Sequence, residues 1–461
     1  MKQHSNFLMV VLISIYIAIG FQWMNATPLQ GIQLPDNMPA SMVSETRLYG
    51  LGPDEKEHQI YIESIAAGKG IPKPSPDRRT DPEQFVSYQA QHPPLFYGVA
   101  AIPWKVLSGA TPSMRIMSIR WLCLIFGAIS IWFSYCIAKF TFKQETAGLV
   151  CAAIMAFTPI FGHMHGNISN EPMAMALVTA ALYVGIRAKQ AAKSQLFILA
   201  GVLFGLALVT RLTAGIWLPG LLMVTMSKSS LKKSALLLVP GMAVPVLVWM
   251  LINQITLGVP LIRTFHRPLL DASHSLGQLL GTGIQVPGAG VTLSAPVILL
   301  WVGGCAAIPM WLMQFHMGID LVTWSSISIL VSLGVLLINL DVVSKARRGT
   351  LPGVPAESIV VRMAGLLAIV LAVTGLLQQL LHSDWDVVFS TGRYSIAAAL
   401  GGAILITGAI ERIKNSRVHT GVAAIVVAAL IAFDVFSVGT VRAFYHDKPT
   451  QDAIQYVEKA D

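Results

Sequence analysis

The residues best equipped for chemistry fall in a few short groups within an otherwise apolar chain. The first is Pro53-Asp54-Glu55-Lys56-Glu57-His58, with Tyr61 just beyond it. The second is His92-Pro93-Pro94-Leu95-Phe96-Tyr97. A third reads Gly162-His163-Met164-His165-Gly166-Asn167-Ile168-Ser169-Asn170-Glu171-Pro172. Arg211 stands in Val209-Thr210-Arg211-Leu212-Thr213, between two apolar runs. A late group holds Asp384-Trp385-Asp386 and Gly392-Arg393-Tyr394. Positioned carboxylates can serve as general bases. An arginine in apolar surroundings is costly unless it snorkels or meets an anion. His163 and His165 with one acid form a sparse metal-ligand set. Each group also has a plainer reading. Asp54 can cap an amphipathic helix over 55–67, whose acidic start suits the helix dipole. The double proline can open a helix at a membrane interface. Asn170 can cap the helix after it. Arg393 and Tyr394 can be interfacial anchors.

The elements that must position these residues are membrane helices. Hydrophobic residues make up 54% of the 461 and charged residues only 12%, with mean hydropathy +0.64. Soluble domains carry about 25% charged residues, so a bilayer must solvate most of this chain. Spanning helices need ~20 apolar residues. Apolar runs lie at about 7–24, 94–109, 116–138, 145–162, 172–188, 195–209, 212–226, 234–253, 292–314, 318–340, 359–381, 393–411 and 419–440. The first reads as a retained helix rather than a cleaved signal, because no small-residue cleavage site follows it. The net charge of +9 fits a positive-inside bias and anionic lipid, not a nucleic-acid partner. Cys123, Cys136, Cys151 and Cys305 lie in apolar runs without CxxC spacing and read as small buried hydrophobes.

Basic loops set the topology. Lys139 and Lys143; Arg187, Lys189 and Lys193; Lys228, Lys232 and Lys233; Lys345, Arg347 and Arg348; and Arg412, Lys414 and Arg417 all belong in the cytoplasm by the positive-inside rule. They reach it together if runs 94–109 and 292–314 are interfacial or re-entrant. The expectation is an all-α polytopic transmembrane bundle with about eleven crossings, N-terminus inside and C-terminus outside. The long loop 25–92, the turn 163–171, the loop 254–291 and the segment 382–393 then share the outer face. Residues 1–253 form one transmembrane module with the first outer loop. Residues 254–461 form a C-terminal module with a short outer tail.

In order along the chain, these motifs resemble the GT-C superfamily of membrane glycosyltransferases. The likeness is to the branch related to protein O-mannosyltransferases and lipid A aminoarabinose transferases. It rests on Pro53-Asp54-Glu55-x-x-His58-x-x-Tyr61, His92-Pro93-Pro94-Leu95-Phe96-Tyr97, and Arg115 or Arg120 in the next helix. It continues with Ile168-Ser169-Asn170-Glu171, where the family usually has Asp, with Gly205 to Thr213, where Arg211 replaces Lys, and with Gly392-Arg393-Tyr394. Residues 254–340 match no family motif.

The resemblance implies transfer of a sugar from a polyprenyl-phosphate donor to an acceptor glycan, lipid or protein at the extracytoplasmic face of a plasma or inner membrane. Asp54 is the expected general base, with Glu55 as the alternative. One base and a single displacement imply inversion, whereas a retaining route would use Glu171 as nucleophile. Arg393, Arg211, His92 and Tyr394 are the expected donor-phosphate ligands, since guanidinium forks match phosphate oxygens. His58, Tyr61 and Asn170 belong to the substrate loop. No cofactor is required, no metal ligand is assigned, and a divalent metal stays compatible. The alternatives are a lipid or solute transporter or flippase, and a non-catalytic family member. The acidic loop between the first two runs argues against a transporter.

Overall fold

The computed structural model describes residues 2–27, 55–74, 86–225, 231–258, 284–285, 292–293, 321–351, 353–382 and 397–446. Asp54, Arg393, Tyr394, Asp384 to Asp386 and Cys305 lie outside the described residues, as do most of the loop 254–291 and the run 292–314.

The chain is an all-α polytopic membrane bundle. Its helices are α1 (Lys2–Ala26), α2 (Glu55–Ala66), α3 (Leu95–Val106), α4 (Pro112–Phe142), α5 (Glu145–Ala156), α6 (Pro159–His165) and α7 (Glu171–Ala191). They continue with α8 (Ser194–Thr210), α9 (Leu218–Thr225), α10 (Leu231–Leu257), α11 (Leu321–Arg347), α12 (Ala356–His382), α13 (Ala399–Ile410) and α14 (Ser416–His446). Strands among the described residues are two-residue pairs only: Lys73–Pro74 with Val86–Ser87, and Ile284–Gln285 with Thr292–Leu293.

Among the described residues, four helices are long and apolar enough to cross a membrane: Ser5–Ala26, Pro112–Phe142, Leu236–Thr256 and Ser416–Ala443. A fifth candidate is the pair α5 and α6, bent by 64°. Pro159 at the start of α6 lacks the N–H that a continuous helix would need, which places the break. The run 94–109 forms only the 12-residue α3, too short to span. Large apolar side chains such as Val10, Leu236, Leu247, Ile255, Ile425 and Phe436 are exposed. In water such a surface would drive aggregation, and in lipid it is matched.

Sequence signals place the helix ends. Thr111 caps α4, its hydroxyl accepting from the Met114 N–H, with Pro112 at the first position. The helix stops at Lys143, whose φ is 58°. Close helix approach is used between α8 and α10, where a Cβ on Gly201 or Gly205 would collide with the carbonyl oxygens of Leu238 and Met242. Small residues allow such contact in a membrane, where lipid offers no hydrophobic gain for packing. A large apolar core joins α1, α4 to α8 and parts of α12 to α14. A smaller one, built on Tyr61, Phe96, Tyr97, Trp104 and Ile119, fastens α2 and α3 onto α4.

Candidate active site

Glu55 opens α2 and is 4% exposed. Arg120, on the third turn of α4, is fully buried beside it. The guanidinium forks onto the carboxylate: Nε donates to Oε1 at 2.8 Å and Nη2 to Oε2 at 2.6 Å. Nη1 donates to the Met24 and Thr27 carbonyls at the end of α1, at 2.6 and 3.2 Å. The Ile168 N–H donates to Glu55 Oε1 at 2.8 Å. Both carboxylate oxygens are thus occupied. Bidentate pairs of this kind fix orientation as well as charge.

A second pair lies on the same turn. Arg211 Nη2 meets Glu171 Oε1 at 2.7 Å. Arg211 Nη1 donates to Asn170 Oδ1 at 2.6 Å and Nε to Thr213 Oγ1 at 3.1 Å. Asn170 Nδ2 donates to the Thr210 carbonyl, and the Ser169 hydroxyl donates to Glu171 Oε2. The anion that Arg211 needs is therefore Glu171. Asn170 is not a side-chain cap for α7 as its sequence position suggests. Its amide is spent on Arg211 and Thr210, and Ser169 Oγ accepts from the Glu171 N–H instead.

Residues 166–171 tie the two pairs together. Asn167 accepts from the Thr27 hydroxyl at 2.7 Å and donates to the His163 carbonyl at 2.8 Å. Ile168 reaches Glu55, Ser169 reaches Glu171, and Asn170 reaches Arg211. The buried Asn167, Ser169 and Asn170 side chains thus each have a partner, as burial requires.

The expected substrate-loop residues are packed inside. His58 Nδ1 lies 2.9 Å from the Tyr97 hydroxyl. The Tyr61 and Tyr97 rings stack at 3.8 Å. Burial pushes the Tyr61 phenol up from its ordinary value, so it stays protonated, and it donates to the His92 carbonyl at 3.5 Å. His92 is half-buried at the end of the turn Tyr88–Gln91. These residues hold α2 against α3 and so set the height of Glu55.

Of the two arginines that the sequence leaves open, Arg120 enters the site. Arg115 instead sits 5.2 Å above the Trp104 ring. Thr27 and Asn167 belong to none of the family-like motifs, and Ser169 stands in one only as the neighbour of Asn170. Their signal was a polar run beside Asn170 and a threonine just past an apolar helix. Among the described residues no group of three His, Cys, Asp or Glu forms that could hold a metal ion.

Residues 91–252 match the family model described as dolichyl-phosphate-mannose-protein mannosyltransferase. The chain is similar to that family over this segment. The resemblance drawn from the motifs is thereby borne out over the stretch that contains Arg120, Asn170, Glu171 and Arg211. Glu55 lies upstream of the matched segment and is bonded into it through Arg120 and Ile168. No curated protein matches the chain by sequence. Solved structures similar to it include the apo oligosaccharyltransferase of Archaeoglobus fulgidus, at 12% identity and TM-score 0.48, covering 95% of this chain and 56% of that one. Another is apo ArnT from Cupriavidus metallidurans, at 12% identity and TM-score 0.40, covering 88% of this chain and 77% of that one. The chain spans a little over half the length of the oligosaccharyltransferase, 55% and 56% in two structures.

Proposed function

We propose that this protein transfers a sugar from a polyprenyl-phosphate donor to an acceptor hydroxyl or similar nucleophile, with inversion, at the extracytoplasmic membrane face. The observation that carries the reading is the paired site itself: Glu55–Arg120 and Glu171–Arg211 joined by one turn, largely inside the mannosyltransferase-like segment.

The depth of the site supports the topology. Arg120 and Lys139 are both on α4, ~28 Å apart at 1.5 Å per residue. That is close to the ~30 Å hydrocarbon thickness. Glu171 and Lys189 bracket α7 in the same way. The basic ends belong in the cytoplasm, so the paired carboxylates take the outer end, where a lipid-linked sugar presents its phosphate. About eleven crossings belong to this proposal.

The role of base goes to Asp54. Glu55 already spends both oxygens on Arg120 and Ile168, which leaves it poorly placed to accept a proton. Its anchoring fixes the start of α2, and Asp54 is the preceding residue. A base held at the attacking hydroxyl contributes ~10²–10⁴-fold. Arg211 spends three N–H groups on Asn170, Glu171 and Thr213, and a guanidinium has five. With Arg393 and Tyr394 it is assigned to the departing phosphate, as preorganised charge there stabilises the transition state. His92 adds a hydrogen bond. Acceptors are a glycan, a lipid or a protein. The reading requires no cofactor beyond the donor, and a divalent metal is compatible with it.

Transfer from polyprenyl-phosphate sugars in membranes tests the reading. Asp54→Asn is expected to lower kcat by at least ~10²-fold at normal protein level. Full activity in that variant would remove Asp54 as base. Absence of any transfer by the intact protein, with vesicle uptake or lipid translocation instead, would favour the transporter alternative.

A further inference from the structure

The last helix, α14, exposes apolar side chains such as Ile425, Val435 and Phe436, yet Asp434 on it is only 1% exposed. An ionisable group inside a membrane bundle is costly and marks function more often than packing. Its partner is distant in sequence: Trp23 Nε1 donates to Asp434 Oδ1 at 2.8 Å. Trp23 is fully buried. Its indole lies along the glycine face of α6, where a Cβ on Gly162 would come within 2.6 Å of Nε1 and one on Gly166 within 2.7 Å of the Trp23 Cβ. The ring meets His163 edge-on at 5.2 Å.

From there an unbroken line of contacts leads to the site. His163 holds Asn167 through its carbonyl, and Asn167 holds the Thr27 hydroxyl. The Thr27 and Met24 carbonyls hold Arg120, which grips Glu55. Trp23 and Thr27 sit one turn apart at the end of α1, so the hydrogen bond that Asp434 accepts from the Trp23 indole is one of the contacts that hold that end against α6 and Arg120. We infer that Asp434 is a positioning residue for the transfer site, acting through Trp23 on the turn that carries Ile168 and on Arg120. Small displacements of a reacting group, even from a remote change, can cost ~10²-fold in rate.

The role in transfer rests on the proposed function, whereas the mechanical link does not, and the test separates them. Hydrogen exchange at the Ile168 amide reads the link without any turnover. Consumption of polyprenyl-phosphate mannose by the full chain in membranes reads catalysis. Asp434→Leu is expected to speed exchange across 166–170 by at least tenfold and to lower kcat about tenfold, with KM unchanged. Asp434→Asn keeps an oxygen acceptor for the indole and is expected to restore both. Should Asp434→Leu fail to fold, Trp23→Phe removes the same hydrogen bond from the donor side and is read in the same way. Normal exchange at Ile168 in the folded Leu or Phe variant would overturn the inference. So would unchanged kcat, or a kcat loss that Asn does not rescue. If the intact protein consumes neither this donor nor other polyprenyl-phosphate sugars, the transferase reading fails, while the exchange data still decide the link.

Discussion

Arg120 and Arg362 are both buried, and both fasten several segments at once, but they are neutralised differently. Arg120 meets a carboxylate through a two-pronged contact and spends its third nitrogen on the end of α1. Arg362, on α12, bonds only neutral groups among the described residues: Asn339 Oδ1 on α11, the Ser358 hydroxyl, and the Gly408 carbonyl on α13. Its guanidinium lies 5.1 Å from the Phe142 ring at the far end of α4. The two centres therefore sit near opposite ends of one helix. At the Arg362 end the guanidinium keeps its charge without a carboxylate among its described hydrogen-bond partners. At the Arg120 end the charge is cancelled. On the proposed function, acid–base work would fall to groups beyond the pair, with the pair as their mount.

The largest effect expected from breaking this contrast is at Arg120. Arg120→Ala strands a buried carboxylate with the Ile168 N–H as its remaining described partner. Loss of one partner from a buried pair costs ~3–5 kcal/mol. Thermal unfolding in detergent should show it, and transfer should vanish. Arg120→Lys keeps the charge but cannot fork, so part of the stability is expected to return without the turnover. An alanine variant that melts like the intact protein would mean the pair does not hold the site.

Arg362→Met is expected to do less and to do it differently. Asn339 and the Gly408 carbonyl lose a donor, a cost of ~1–3 kcal/mol for buried groups left unsatisfied. Methionine recovers part of the packing volume. Melting should fall, while kcat per folded molecule holds. A clear kcat loss in this variant would erase the functional distinction between the two arginines.

The same contrast explains what could be read without coordinates. Membrane character, the all-α class and the short, non-spanning run at α3 are legible, because hydropathy and basic loops act locally, whereas the break of run 145–162 into α5 and α6 is not. Glu55, Glu171 and Arg211 stood out because a charge in an apolar chain needs a reason. Their partners did not. Glu55 pairs across 65 positions with Arg120, and Trp23 across 411 with Asp434, and no local pattern encodes such meetings. His58 and Tyr61 carried a motif that suggested substrate contact. The aromatic stack on Tyr97 gives them a packing role that the motif alone does not reveal.

The smallest effect is expected at the basic end of α4, where an ion pair of the same nominal kind lies in the open. Lys139 Nζ meets Glu145 Oε1 at 2.7 Å, with the side chains 38% and 24% exposed. The Tyr135 hydroxyl donates to Glu145 Oε2 at 2.6 Å. Here water and headgroups solvate both charges whether or not they meet, and salt screens what remains. Glu145→Gln keeps an acceptor for Tyr135 and removes only the charge. The expected cost is at most ~1 kcal/mol, shrinking further as salt is raised, with turnover unchanged. Melting curves at low and high salt would check it. A loss on the scale of Arg120→Ala would show that this end is as desolvated as the Arg120 end, and the difference drawn between the two ends of α4 would collapse.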